Sequence, residues 1–203
     1  MRISRIAVAA LITMTAATAC QSRAPEPAPA ASVKATAIFA GGCFWCTESD
    51  FDKMPGVLAT VSGFAGGRTA NPTYQQVSVG GTGHYEVVRV TYDPKRISYA
   101  DLVRRFLPTI DVVDGGGQFC DRGESYRPAI FFGNATEKKA AEAALAAASK
   151  RLGQKTAVAV LPASRFTAAE EYHQDYYKKN PVRYKFYRWN CGRDQRLKAL
   201  WQR

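Results

Sequence analysis

The segment KATAIFAGGCFWCTESDFDK, residues 34–53, sets the pattern of the chain. Lys34 to Ala40 alternates in part and carries β-branched and aromatic side chains, which predicts a strand. Gly41-Gly42 turns the chain. A helix is predicted from Cys43 to about Lys53, stopped by Pro55-Gly56. Outward from this unit, Val57 to Phe64 reads as a second strand. His84 to Tyr92 reads as a third, with imperfect alternation. The stretch between them is rich in Gly, Thr, Asn and Pro, an ordered loop with one short helix around Tyr74. Ser98 and Asp101 have the spacing of a capping box for a helix to Leu107. A long loop follows from Asp111 to Arg127. Then come a strand at Pro128–Phe132, an alanine-rich helix at Thr136–Leu152 and a short strand at Thr156–Leu161. Thr167 with Glu170 predicts the cap of a last helix ending near Asn180-Pro181. Beyond it, Gln195 to Leu200 has a helical pattern. Strands and helices alternate without a nucleotide-binding glycine signature or an internal repeat. This predicts an α+β fold, a two-layer α/β sandwich.

The chain has 203 residues, 46% of them hydrophobic, enough for one ordinary domain after removal of a leader. Its net charge is +11 and its pI about 9.6. The basic residues are spread along the chain, densest from Lys178 to Arg203, and no nucleic-acid motif accompanies them. A solvated basic surface with no nucleic-acid partner is the reading. Residues 1–19 read as a signal peptide. Arg2 and Arg5 form the positive region, Ile6 to Thr15 the apolar region, and Ala17-Thr18-Ala19 the cleavage site. That apolar run is too short for a permanent transmembrane helix. Cys20 follows the site directly and resembles the lipidated cysteine of a bacterial lipobox, with Ala17 where leucine is usual. The alternative is plain secretion with Cys20 a bystander. Residues 20–33 are rich in Pro and Ala and read as an extended tether, leaving 34–203 as the folded domain. Gln21 resembles the outer-membrane sorting position of bacterial lipoproteins. The expected setting is the periplasm, with a lipid anchor in the outer membrane through Cys20.

Four further cysteines are Cys43, Cys46, Cys120 and Cys191. Structural disulfides are the ordinary expectation for an exported domain. A bridge between Cys43 and Cys46 would close too small a loop to constrain the unfolded chain. The pair therefore suggests thiol redox chemistry or a metal. Zinc lacks a second C-x-x-C, and no His follows Cys46 for haem attachment, so no metal is expected. Cys43 lies after two glycines at a helix start, where free N–H groups and the helix dipole favour a thiolate, the attacking form. Phe44 and Trp45 beside it suit an apolar substrate group, or else pack in the core. A thiol–disulfide oxidoreductase using Cys43-x-x-Cys46 is the alternative enzyme class, and a binding module for oxidised or unfolded proteins is a third reading.

Gly42-Cys43-Phe44-Trp45 with Glu48 resembles the signature of type A methionine sulfoxide reductases. Pro55-Gly56-Val57, Gly63-Phe64-Ala65-Gly66-Gly67, Asn71-Pro72-Thr73-Tyr74, Gly83-His84-Tyr85-Glu86, Asp121-Arg122-Gly123 with Ser125-Tyr126-Arg127, and Tyr172-His173-Gln174 with Lys179-Asn180-Pro181 agree in order and spacing. The fold is then expected to be a ferredoxin-like plait with long loops and an extended C-terminal tail. The resemblance implies that Cys43 attacks the sulfur of a methionine S-sulfoxide, free or in a protein, while Glu86 protonates the leaving oxygen. It implies that Tyr74, Asp121 and Tyr126 hold the oxygen by hydrogen bonds, and that Phe44 and Trp45 form the methyl pocket. Cys43 is left as a sulfenic acid. A second cysteine closes an intramolecular disulfide, which an external thioredoxin-like dithiol reduces, with no bound cofactor. Cys191 is the expected resolving cysteine, ahead of Cys46 and Cys120. Its flanks differ from the mobile glycine-rich tail of many relatives. His84 is expected to support its loop and His173 to be structural. A monomer is the default.

Overall fold

The computed structural model describes residues 33–202. The expected signal peptide, Cys20 and the tether up to Ser32 lie outside the described residues. The chain runs through β1 (Ala35–Ala40), α1 (Phe44–Phe51), β2 (Val57–Ala65), α2 (Tyr74–Val79), β3 (Tyr85–Tyr92) and α3 (Tyr99–Phe106). It continues with β4 (Gly117–Gln118), β5 (Asp121–Arg122), β6 (Ala129–Phe132), α4 (Ala135–Leu152), β7 (Ala159–Pro162) and β8 (Thr167–Ala168). Three helices close it: α5 (Tyr176–Lys179), α6 (Pro181–Asn190) and α7 (Arg193–Trp201). Six strands form one mixed sheet in the order β7-β6-β1-β3-β2-β8. Within it, β1 is antiparallel to β3 and β6, β2 is antiparallel to β3 and β8, and β7 is parallel to β6. The short hairpin β4-β5 stands apart.

The imperfect alternation of β3 has a plain cause. Both faces of this central strand are covered, and Tyr85 through Val88 are all buried. On one face, Phe39, Val88 and Val90 meet Phe44 and Phe51 of α1, Leu102, Val103 and Phe106 of α3, and Leu145 of α4. On the other, Ala40, Ala65, Tyr85, Val87, Ala129 and Phe131 form a smaller cluster. Side chains alternate along a strand, so Glu86 shares its face with Val88 and Val90 and lies under α1. The expected capping box is present: Ser98 Oγ accepts from the Asp101 N–H, and Asp101 accepts from the Ser98 N–H.

Two expectations for the C-terminal part are corrected. The segment from Thr167 does not open a long helix. Thr167 and Ala168 instead pair with Phe64 and Gly63 as edge strand β8, and Glu170 turns its carboxylate to the Tyr74 N–H at 3.0 Å. A short helix, α5, does end at Lys179 with Asn180 as its C-cap, and Pro181 then starts α6, because proline lacks only an N–H that the first turn leaves unpaired. Nor is the tail extended. Leu200 and Trp201 of α7 are buried in the main core, and the Trp201 indole donates to the Ile110 carbonyl at 3.3 Å. Apolar side chains at 197, 200 and 201 give that segment a face to bury. The long loop at 111–127 is also more ordered than its glycines suggest. Gln118, fully buried, donates to the Asp111 carbonyl at 2.9 Å and accepts from its N–H at 2.8 Å.

The core rests on an aromatic cluster around Phe39, whose ring centroid lies 4.8 Å from Phe51 and 5.0 Å from Phe106. Phe39→Ala is expected to cost about 3–5 kcal/mol, measured by urea unfolding. A loss under 1 kcal/mol would contradict this packing.

Candidate active site

The Gly41-Gly42 turn aims the thiol. Gly42 has φ of +79°, and a Cβ there would lie 2.5 Å from the Cβ of Gln118. Only glycine allows that approach. Cys43 is thereby set as the N-cap of α1, and its carbonyl accepts from the Cys46 and Thr47 N–H groups at 3.1 and 3.2 Å. The next N–H, that of Phe44, donates to Glu86 Oε2 at 3.0 Å. A free N–H of the first helical turn thus ties the carboxyl group to the residue after the thiol. Cys43 is 6% exposed and Glu86 3%.

Burial pushes the Glu86 carboxyl up to about 8, with the charges of Asp121 and Cys46 acting the same way. The Phe44 N–H and the Tyr126 hydroxyl oppose this shift without cancelling it. Tyr126 ends a single 3-10 turn, Glu124–Tyr126. Its hydroxyl also interacts with that of Tyr74, the first residue of α2. Asp121, in β5, accepts a hydrogen bond from the Tyr187 hydroxyl. Burial raises its pKa. Tyr187 also contacts the Cys43 sulfur, and burial holds its phenol in the neutral form. Cys43, Glu86, Tyr74, Tyr126 and Asp121 therefore converge from five separate elements.

The two aromatic residues after Cys43 divide. Phe44 is 1% exposed and packs into the core beside Phe64 at 5.9 Å and His173 at 4.9 Å. Trp45 is half-buried. Its ring stacks on Tyr176 at 3.7 Å, and its indole N–H donates to His173 Nδ1 at 3.0 Å. His84 does what its loop position suggested. Its Nδ1 accepts the Gly67 N–H at 3.2 Å, and Nε2 lies 2.8 Å from the Thr69 carbonyl.

The thiol pair departs from expectation. Burial raises the Cys43 pKa well above that of a free thiol, and Cys46, Glu86 and Asp121 add to the rise. Cys46 moves the other way, to about 7, chiefly through its hydrogen bond with Cys43 and then through Arg193 and Arg188. The more acidic thiol of the resting pair is Cys46. Both remain free, whereas Cys120 and Cys191 form a disulfide across a sequence separation of 71, with Cα atoms 4.9 Å apart. Cys120 is exposed and Cys191 half-buried. Cys120 Sγ lies 3.8 Å from Asp121 Oδ1, so the disulfide adjoins the site. Among the described residues, the group with metal-ligand spacing is Cys120, Asp121 and Cys191, and the disulfide consumes two of its three members. A groove of about 430 Å³ between α3, α4 and Trp201 is lined by alanines and two arginines and bears on none of this chemistry.

The sequence does not single out Tyr187 and Arg193, because the groups they meet, Asp121 and Asp50, are distant in the chain. Tyr184, Tyr187, Arg188 and Cys191 do fall at helical spacing, the signal that marks one packed face.

The family model described as peptide methionine sulfoxide reductase matches residues 35–203. The chain belongs to this family. It is 50% identical to peptide methionine sulfoxide reductase MsrA 2 of Caulobacter vibrioides over 192 residues, 94% of this chain and 97% of that one. Among solved structures it resembles methionine sulfoxide reductase A of Corynebacterium diphtheriae, with TM-score 0.70, 32% identity, and 73% and 76% of the two chains covered. It also resembles reduced Mxr1 from Saccharomyces cerevisiae, with TM-score 0.70, 30% identity, and 73% and 87% covered. Mxr1 has also been solved in complex with Trx2, where the likeness, at 20% identity, TM-score 0.50, and 77% and 91% covered, is one of fold.

In this family member the buried Glu86 makes stability depend on pH. Its folded pKa of about 8 lies above the ordinary 4.5. The folded state therefore keeps a proton that the unfolded chain releases, and stability falls as pH rises from 4.5 towards 8. Glu86→Gln keeps the acceptor for Phe44 and cannot ionise. Thermal unfolding from pH 5 to 9 should show the variant gaining on the wild type, by on the order of 4 kcal/mol at most. A constant difference across that range would contradict the assignment.

Proposed function

We propose that this oxidoreductase reduces the S epimer of methionine sulfoxide, in proteins and as the free amino acid, with Cys43 as nucleophile and Glu86 as acid. The observation that carries the reading is the Phe44 N–H bond to Glu86, which holds a neutral carboxyl group beside a buried thiol. A sulfoxide oxygen is a poor leaving group until protonated, and a carboxyl with a pKa near 8 keeps its proton at neutral pH.

The steps balance. Cys43 sulfur bonds to the sulfoxide sulfur while Glu86 gives its proton to the oxygen. The thiol proton of Cys43 recharges Glu86. The oxygen passes to Cys43, leaving a sulfenic acid, and methionine is released. The substrate sulfur is reduced by two electrons and Cys43 oxidised by two. Tyr74 and Tyr126 hydroxyls steady the oxygen, and Asp121 accepts hydrogen bonds at the rim. Trp45 and Phe44 form the apolar wall for the methyl group.

Cys191 then attacks the sulfenic sulfur, releasing water and forming a Cys43–Cys191 bond. Cys120 attacks Cys191, freeing Cys43. The observed Cys120–Cys191 bond with free Cys43 supports this order. An external thioredoxin-like dithiol meets the exposed Cys120 and takes over the disulfide; the fold binds no cofactor for this. Cys46 serves as the reserve resolving thiol, favoured by its low pKa and its contact with Cys43.

The setting we infer is the cell envelope. Residues 1–19 act as an export signal and 20–33 as a tether, with Cys20 lipidated and the 34–203 domain monomeric and held at the outer membrane. The strand order β6-β1-β3-β2, with α1 after β1 and α3 after β3, supports a ferredoxin-like plait as the kernel of the sheet.

With a methionine sulfoxide peptide and dithiothreitol, Cys43→Ser is expected to show no turnover. Glu86→Gln should fall by about 10²–10⁴-fold. The wild-type rate should decline as pH rises through 8, when Glu86 loses its proton, and the variant should lack that limb. A wild type without measurable rate would sink the proposal.

After one turnover without reductant, Cys120→Ser should hold a Cys43–Cys191 bond by peptide mass mapping. Its turnover with a protein dithiol should drop at least tenfold. A Cys43–Cys46 bond in that variant would reverse the order of resolving thiols.

A further inference from the structure

Helix α6 carries an exposed apolar stripe that the reaction does not use. Val182 is 80% exposed, Phe186 63% and Trp189 68%. At about 100° per residue, the three fall within an arc of about 60° on one side of the helix. The rings of Phe186 and Trp189 lie 6.0 Å apart, so the stripe is continuous at that end. Exposed apolar residues scattered singly need no explanation, but a clustered stripe marks a contact surface.

The charges around the stripe say what covers it. Arg183 lies along one edge and Lys185 along the other, and both are exposed. Neither pairs with an acid among the described residues, whereas Lys178, Lys179 and Arg188 all do. The helix itself contains no acidic residue. Apolar side chains edged on both sides by cations match an anionic bilayer surface, where rings enter the headgroup boundary and cations meet lipid phosphates. Ten residues make a rod of about 15 Å, too short to span a bilayer and able to lie flat on one. Two other occupants fit less well. A second copy of this chain would set cation against cation, because a two-fold contact places a patch against itself. A reductant has to cover the Cys120–Cys191 disulfide, and Cys191 falls on the opposite side of the helix, about 180° from the middle of the stripe.

The helix is also formed in advance. Its inner face is fixed by buried Tyr184, by the Tyr187 hydroxyl bonded to Asp121, and by Arg188 on Asp50 at 3.0 Å. A surface ordered before contact does not lose affinity to the cost of ordering it. We propose that the outer face of α6, Val182, Phe186 and Trp189 with Arg183 and Lys185, docks this domain on a membrane surface rich in anionic phospholipid. Tyr187 faces the other way, towards the active site, so docking leaves the site free.

The test follows Trp189 in the full chain. The chain has three tryptophans and none within residues 1–32, so a vesicle that takes up only the leader leaves the signal of α6 unchanged. Trp45 is half-buried and Trp201 buried, and Trp189→Phe identifies the part of the emission that belongs to Trp189. Vesicles containing phosphatidylglycerol should move that emission to shorter wavelength and cut its quenching by acrylamide at least threefold. Vesicles of phosphatidylcholine alone should bind at least tenfold more weakly by the same signal. Arg183→Gln with Lys185→Gln should weaken binding to the anionic vesicles at least tenfold, and Phe186→Ser at least threefold. Both variants alter only exposed side chains and should unfold at the wild-type temperature. Trp189 still open to acrylamide while the chain sediments with the vesicles would overturn the proposal. So would equal affinity of the double variant and the wild type. Protection of Trp189 by a thioredoxin and not by lipid would assign the face to a protein partner and overturn it as well.

Discussion

A single buried guanidinium holds the working parts of this protein together. Arg193, 1% exposed, donates to the Thr109 carbonyl at 2.8 Å and to Gly41 at 3.4 Å, and lies 3.7 Å from Asp50 of α1. Its plane sits 4.6 Å over Phe119, the residue before Cys120. A charge at that depth is tolerable only with a counter-charge and with most of its donors paired. Asp50 supplies the counter-charge, and the carbonyls accept from the two terminal nitrogens, while Nε is buried without a partner. The C-terminal helix, the glycine turn ahead of the nucleophile and the loop that carries Asp121 are therefore interlocked. None can leave without stranding a charge. The same cation helps to stabilise a thiolate on Cys46.

That interlock explains why the tail here is helical. A tail that must deliver a resolving thiol from solution would be long and flexible. This one brings Cys191 to Cys120 by folding, and α6 contributes Tyr187 to the site on the way. Arg188 reinforces the arrangement with Asp50 at 3.0 Å and Asp194 at 2.7 Å. These pairs are partly buried and linked, the condition under which ion pairs count for more than an isolated surface pair.

Local signals carried most of the fold. The strand–glycine–helix unit at 34–53 and the Ser98 capping box depend on neighbours in sequence, and both were readable. The ends of the chain were harder. Thr167 and Ala168 look like a helix cap by composition, and only the edge of β2 makes them a strand. Cys43 was read as an acidified thiol from its helix start, which is a local property. Burial first, then its hydrogen bond with Cys46, and only then the charges of Glu86 and Asp121 from elsewhere in the chain, push it the other way. The site residues drawn from the family motifs were found close together. The partner of Cys191 could not be read, because a pairing 71 residues apart is a tertiary fact.

The depth of Cys43 has a bearing on which oxidised proteins this enzyme can repair. A thiol 6% exposed beneath aromatic rings is reached by a slender side chain and not by a packed surface. A methionine sulfoxide held inside a stable helix or strand has to detach before it can enter. Repair of such a site then runs at a pace set by the substrate's own local opening equilibrium. Damaged proteins queue in order of how readily they unfold around the lesion, and the enzyme needs no sequence motif to sort them.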